Sequence, residues 1–128
     1  MHTRILVIDD DRKITELLRR GLGYEGYIMD LAHSGPEGLT LAREHAPDLV
    51  ILDIMMEKSD TGFDVARELK NDPPTKNIPI LMLTAIKEKT GLDFKKEAGD
   101  MVWLPVADYV EKPLKPEELI SKVEKLLK

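Results

Sequence analysis

Five short apolar runs punctuate the chain: Ile5-Leu6-Val7-Ile8, Tyr27 to Leu31, Leu49-Val50-Ile51-Leu52, Ile80-Leu81-Met82-Leu83, and a weaker one from Val106 to Val110. Their starts lie about 22 to 31 residues apart, the repeat length of a strand-helix unit. The first, third and fourth are apolar without alternation, which suits strands covered on both faces, as in a parallel sheet flanked by helices. Between the runs the apolar positions take helical spacing. Ile14, Leu17, Leu18 and Leu22 form one face of a first helix, with Asp11 as its N-terminal cap and Gly21 and Gly23 near its end. Ser34 and Glu37 have the spacing of a capping box, Pro36 is tolerated in a first turn, and this second helix runs to about His45. A third holds Val65, Ala66 and Leu69 and stops at Asn71-Asp72-Pro73-Pro74. The last, from about Pro116, turns Leu119, Ile120, Val123, Leu126 and Leu127 inward, with Glu117 and Glu118 in its first turn. The stretch from Ile86 to Pro105 is less regular, with a short helix at most over 93–98 and an apolar patch at Met101-Val102-Trp103-Leu104. The alternation predicts a three-layer α/β sandwich with right-handed crossovers.

Composition narrows the picture. The 128 residues, 42% hydrophobic and 34% charged, are enough for one packed domain without staples. No apolar run approaches the roughly 20 residues that cross a bilayer, and no basic segment followed by an apolar stretch opens the chain. A cytoplasmic protein without membrane contact is therefore expected. With no cysteine, disulfides, thiolate metal sites and thiol catalysis are excluded. Nineteen basic against 24 acidic residues give a net charge of −5, which disfavours a general nucleic-acid binder. His2, His33 and His45 lack paired metal spacing and read as surface or loop residues.

The polar residues that follow the runs carry the chemistry. Asp9 and Asp10 follow the first run, Asp53 the third, Thr84 ends the fourth, and Lys112 lies two residues past the fifth. All five fall at the carboxyl edge of the sheet, where open α/β folds place their sites. Three converging carboxylates repel, so that one of them is expected to hold its proton more tightly than usual. A hard divalent cation relieves the conflict, and an all-oxygen donor set suits Mg2+ better than zinc. With Lys112 as a second cation beside a carboxylate and a hydroxyl, the rim is equipped to receive a phosphoryl group. Taken singly, each residue has a plainer role as a cap, strand-end hydroxyl or surface charge. Their joint placement on four strands favours the shared site.

Ile5 to Asp10 (ILVIDD), Leu49 to Met56 (LVILDIMM), Leu83-Thr84-Ala85 and Tyr109-Val110-Glu111-Lys112-Pro113 resemble, in order and spacing, the receiver domain of two-component response regulators. The resemblance covers nearly the whole chain and makes residues 1–128 one receiver domain, either entire or part of a larger regulator. It implies a flavodoxin-like, five-stranded parallel sheet in order 2-1-3-4-5, with helices on both faces. It implies that Asp53 accepts the phosphoryl group and that Mg2+ is held by Asp10, by Asp9 mostly through water, by Asp53 and by the main-chain carbonyl of Met55. It implies that Thr84 bonds a phosphoryl oxygen, that Lys112 pairs with the phosphoryl group, that Tyr109 is the switch aromatic, and that Lys112-Pro113 is a cis peptide. The implied partners are a histidine kinase or histidine phosphotransfer protein and an unnamed output protein or domain. The chain would make and lose one phosphoryl bond on itself and turn over no other substrate.

Three features depart from the family pattern. Glu57 stands where proline is common, and the segment before Gly62 is one residue longer than usual. Extra residues lie between Thr84 and Lys112, so the family's common dimer is not carried over. Met55 and Ile86, apolar at positions that set dephosphorylation rate in the family, cannot orient an attacking water, which predicts slow self-dephosphorylation. The patch around Trp103 reads as packing over the sheet edge, with partner docking as the alternative. Two rival functions remain. An aspartyl-phosphate phosphatase would want an acid two residues after the nucleophile, where Met55 stands, and a phosphate-independent scaffold would not need the intact acidic set.

Overall fold

The computed structural model describes residues 3–53, 61–84 and 106–127. The Met55 carbonyl, the Glu57 segment, Ile86, the irregular fourth-helix region and the Trp103 patch lie outside the described residues. Five strands are seen: β1 (Arg4–Ile8), β2 (Ile28–Ala32), β3 (Leu49–Asp53), β4 (Ile80–Thr84) and β5 (Asp108–Glu111). The described helices are α1 (Arg12–Tyr24), α2 (Gly35–His45), α3 (Thr61–Asn71) and α4 (Pro116–Leu126). The strands form one parallel sheet in the order β2-β1-β3-β4-β5, the order the sequence resemblance implies.

The unbroken apolar runs are the three central strands, and every residue of β3 and β4 is buried. Successive side chains point to opposite faces, so each run feeds two cores. Leu6, Ile8, Val50, Leu52, Ile80 and Met82 pack with Ala42, Phe63, Ala66 and Leu69 of α2 and α3. Ile5, Val7, Leu49, Ile51, Leu81, Leu83 and Val110 pack with Leu18, Leu22, Leu119 and Val123 of α1 and α4. The sandwich expected from the alternation is thus present. Close approach of α2 to β1 depends on Gly38, where a Cβ would overlap the side chain of Ile8. Among the described residues, no helix is long and apolar enough to cross a membrane.

Local signals mostly match, with two corrections. Asp11 caps α1, accepting the Lys13 N–H at 2.9 Å. Ser34 caps α2, accepting from Glu37 at 3.3 Å, but the Glu37 carboxylate bonds the N–H of His33 at 2.6 Å, one residue before the position a capping box uses. The apolar face of α1 is also rotated from the expected one. Leu17 is 54% exposed, while Thr15 is buried beside Leu18 and Leu22. The positions that meet the sheet follow the spacing 14, 18, 22, and Leu17 falls on the flank. Thr15 is satisfied there, since its hydroxyl bonds the Arg12 carbonyl and the His33 ring at 3.1 Å.

Candidate functional site

The carboxyl edge of the sheet is assembled from four strand ends. Asp9 directly follows β1, and its N–H still donates to the Ala32 carbonyl of β2 at 3.0 Å. The chain then turns away, leaving Asp10 exposed. The N–H of Asp11 closes that turn on Asp9 Oδ1 at 2.9 Å. Asp53 ends β3, one step past the Ile8–Leu52 pair of the β1–β3 ladder, which sets it across from Asp9. Lys112 follows β5, and its N–H donates to the Thr84 carbonyl at 2.8 Å, binding the two strand ends together. Its Nζ lies 3.3 Å from Asp53 Oδ2 and 3.6 Å from Asp9 Oδ2. One carboxylate oxygen from each of Asp9, Asp10 and Asp53 lies within 4.8 Å of the other two.

Burial sets the electrostatics. Asp9 is fully buried and Asp53 is 2% exposed. The Asp9 carboxyl is pushed up to about 7, first by burial and also by the charge of Asp53. The Asp11 N–H and Lys112 pull the other way without winning. Asp9 Oδ2 accepts no hydrogen bond among the described residues, and Lys112 Nζ is 3.6 Å from it. A buried carboxylate oxygen without a donor is costly. Three converging carboxylates around such an atom form an oxygen-only donor set that fits Mg2+. These residues therefore fit the ion that the sequence resemblance implies.

The remaining expected residues border the cluster. Thr84 is the last residue of β4 and is 1% exposed. Tyr109 lies opposite Met82 on β5, half-buried against the core beneath α2 and α3. The Lys112-Pro113 peptide is cis. One neighbour was not legible in the sequence. Lys122 of α4 donates to the Tyr109 carbonyl at 2.6 Å, and its Nζ lies 5.1 Å from the Tyr109 ring centroid, a cation–π distance. The thirteen-residue separation carries no local signal; only the docking of α4 on β5 creates the contact.

A parallel sheet in this order, with an acidic rim and a lysine reaching into it, defines a flavodoxin-like α/β protein of the receiver type. The profile of the response regulator receiver domain matches residues 5–124, and the chain belongs to that family, the receiver component of response regulators in two-component signalling. Response regulator MprA of Mycobacterium ulcerans is 41% identical over 132 aligned positions, covering 100% of this chain and 51% of the relative. The chain spans about half the length of the curated relatives it matches. A crystal structure from Chloroflexus aurantiacus, provisionally described as a response regulator, superposes with a TM-score of 0.83 at 32% identity, covering 99% of this chain and 98% of the other. A two-component response regulator from Clostridium difficile gives 0.82 at 26%, covering 98% and 96%.

Proposed function

We propose that the chain is a phosphorylation-operated switch that accepts a phosphoryl group on Asp53 from a histidine kinase or histidine phosphotransfer protein. The observation that carries this reading is the position of Lys112 Nζ, 3.3 Å from Asp53 Oδ2, beside the convergent oxygens of Asp9, Asp10 and Asp53. An Asp53 oxygen attacks phosphorus, the bond from phosphorus to the donor's imidazole nitrogen breaks, and the imidazole keeps that electron pair and later takes a proton. Lys112 stabilises charge on the phosphoryl oxygens as transfer proceeds. Asp9, Asp10 and Asp53 would hold Mg2+, which supplies charge neutralisation among the carboxylates and on the phosphoryl oxygens.

The product carries about −1.5 to −2 charge in place of one carboxylate. The Thr84 hydroxyl then bonds a phosphoryl oxygen, and Tyr109 turns into the space vacated. The face around Tyr109 changes population rather than fold, altering what an output partner meets. Driving a two-state face from about 1% to about 99% requires roughly 5.5 kcal/mol of preference. No other turnover is proposed, and the setting of such a relay is the cytoplasm. The test is intact-mass analysis after incubation with Mg2+ and a small acyl phosphate. Wild type should gain the mass of one phosphoryl group and Asp53→Asn none; equal gain in both, or none in either, overturns the reading.

A further inference from the structure

Two features of the fold converge on one histidine. Thr15 is a polar residue buried on the inner side of α1, where helical spacing called for an apolar one. The Glu37 carboxylate holds the N–H of His33, at 2.6 Å, instead of the N–H of the helix cap. Between them, His33 Nε2 lies 3.1 Å from Thr15 Oγ1. The Thr15 hydroxyl has a single hydrogen, directed to the Arg12 carbonyl at 3.1 Å. The His33 ring N–H is therefore the donor and Thr15 the acceptor.

These contacts close a ring around the acidic turn. The Ala32 carbonyl of β2 accepts the Asp9 N–H at 3.0 Å, and Asp9 Oδ1 accepts the Asp11 N–H at 2.9 Å. The Asp11 carbonyl accepts the Thr15 N–H at 3.1 Å, and Thr15 Oγ1 accepts from His33, the residue that follows Ala32. Asp10 rides on this ring between Asp9 and Asp11. Its side chain is exposed, so its position follows from the backbone of the turn. The carboxylates of Asp9, Asp10 and Asp53 converge, and their repulsion pushes that turn outward. Where nothing opposes the push, part of a cation's binding free energy goes into gathering its ligands. A tie already in place leaves that part as affinity.

We infer that His33 is a positioning residue for the acidic rim: its ring N–H, held on Thr15, ties the turn that carries Asp9 and Asp10 to β2 and tightens the rim's hold on Mg2+. The inference rests on the reading of the rim as the Mg2+ site that serves phosphoryl transfer to Asp53. In this role His33 acts through Thr15 and the turn. Its effect is on affinity, so transfer depends on His33 only where Mg2+ is below saturation.

Calorimetric titration with Mg2+ reads the affinity, and intact mass after incubation with a small acyl phosphate reads transfer. His33→Ala should weaken Mg2+ binding about fivefold, less than the tenfold or more that follows loss of a group bonded directly to a ligand side chain. His33→Gln, whose amide N–H reaches about as far as Nε2, should stay within about twofold of wild type. Thr15→Val keeps the shape and removes the acceptor; it should match His33→Ala, and the double variant should lose no more than either alone. Phosphorylation of His33→Ala should be slowed about fivefold at limiting Mg2+ and should equal wild type at saturation. In EDTA its Asp11 amide should exchange about fivefold faster, a readout that needs no ion. His33 is half-buried on a loop and Thr15→Val conserves volume, so both variants should fold, which urea melts would verify. An unchanged Mg2+ affinity in folded His33→Ala overturns the inference. So does His33→Gln no better than alanine, or a double variant in which the two losses add. If wild type is phosphorylated on Asp53 and His33→Ala is phosphorylated equally well at limiting Mg2+, the reading of the rim stands and only the role of His33 falls. If wild type binds no Mg2+, both fall.

Discussion

Replacing Asp9 by asparagine should stabilise the protein in the absence of divalent cations, and by an amount that depends on pH. The Asp9 carboxyl rises from 3.8 to about 7 on folding, chiefly because it is buried. The folded state therefore binds the proton more tightly than the unfolded one. Between these values the native state holds more protons, so stability falls as pH rises, opposite to the usual salt-bridged aspartate. Above pH 7 the full cost is present: about three units, or about 4 kcal/mol at 1.36 kcal/mol per unit. Relaxation of the site and water entry reduce that ceiling to between about 2 and about 4 kcal/mol. Asparagine keeps an oxygen for the Asp11 N–H and substitutes a neutral amide for the donorless Oδ2. Urea unfolding in EDTA is the assay. With a slope near 2 kcal/mol per molar, the Asp9→Asn midpoint at pH 8 should exceed wild type by about 1 to 2 M. The two proteins should converge as pH approaches 4. Mg2+ at about 100 times its Kd should return roughly 2.7 kcal/mol to wild type and much less to the variant. An Asp9→Asn protein no more stable than wild type at pH 8, or a difference that persists unchanged to pH 4, would refute the reasoning.

Other expectations follow from single contacts. Gly38→Ala should destabilise by about 1 to 3 kcal/mol, since overlap with Ile8 outweighs the better helix propensity, and adding Ile8→Val, which removes the nearest of the overlapping atoms and keeps both γ carbons, should recover only part of the loss; thermal unfolding of the four proteins of the cycle measures this. Ala46, at φ 46° after α2, should gain up to about 1 kcal/mol as glycine, because the left-handed conformation strains a Cβ. Asp11→Ala should cost about 1 kcal/mol through loss of the α1 cap, read as a lower urea midpoint. Phosphorylated Asp53 should decay slowly because Met55 and Ile86 are apolar; loss of the added mass within seconds, in purified protein with Mg2+, would contradict this.

The three central strands were legible because burial on both faces demands an apolar residue at every position, as in Leu49 to Leu52 and Ile80 to Leu83. The edge strands were less so. β2 is only half-buried over Ile28 to Leu31, and β5 begins at Asp108 rather than Val106. The convergence of Asp9, Asp53 and Lys112 could be read because each stands at the carboxyl end of an apolar run, and parallel strands bring such ends to one edge. Helical spacing could not decide whether Leu17 or Thr15 faces inward, since the partner of Thr15, His33, comes from a distant loop. Lys122 over Tyr109 was invisible for the same reason, as it depends on how α4 docks. Spacing identifies which residues share an element; which elements meet is decided by tertiary packing.

The rim draws on residues 9, 10, 53, 84 and 112, so no contiguous fragment of the chain contains it. A nascent polypeptide still on the ribosome has Asp53 long before it has Lys112, and until β5 docks beside β4 no ammonium is held 3.3 Å from that carboxylate. Whatever chemistry this edge performs is thereby reserved for finished molecules: an incomplete or unravelled copy does not hold the lysine beside the acids.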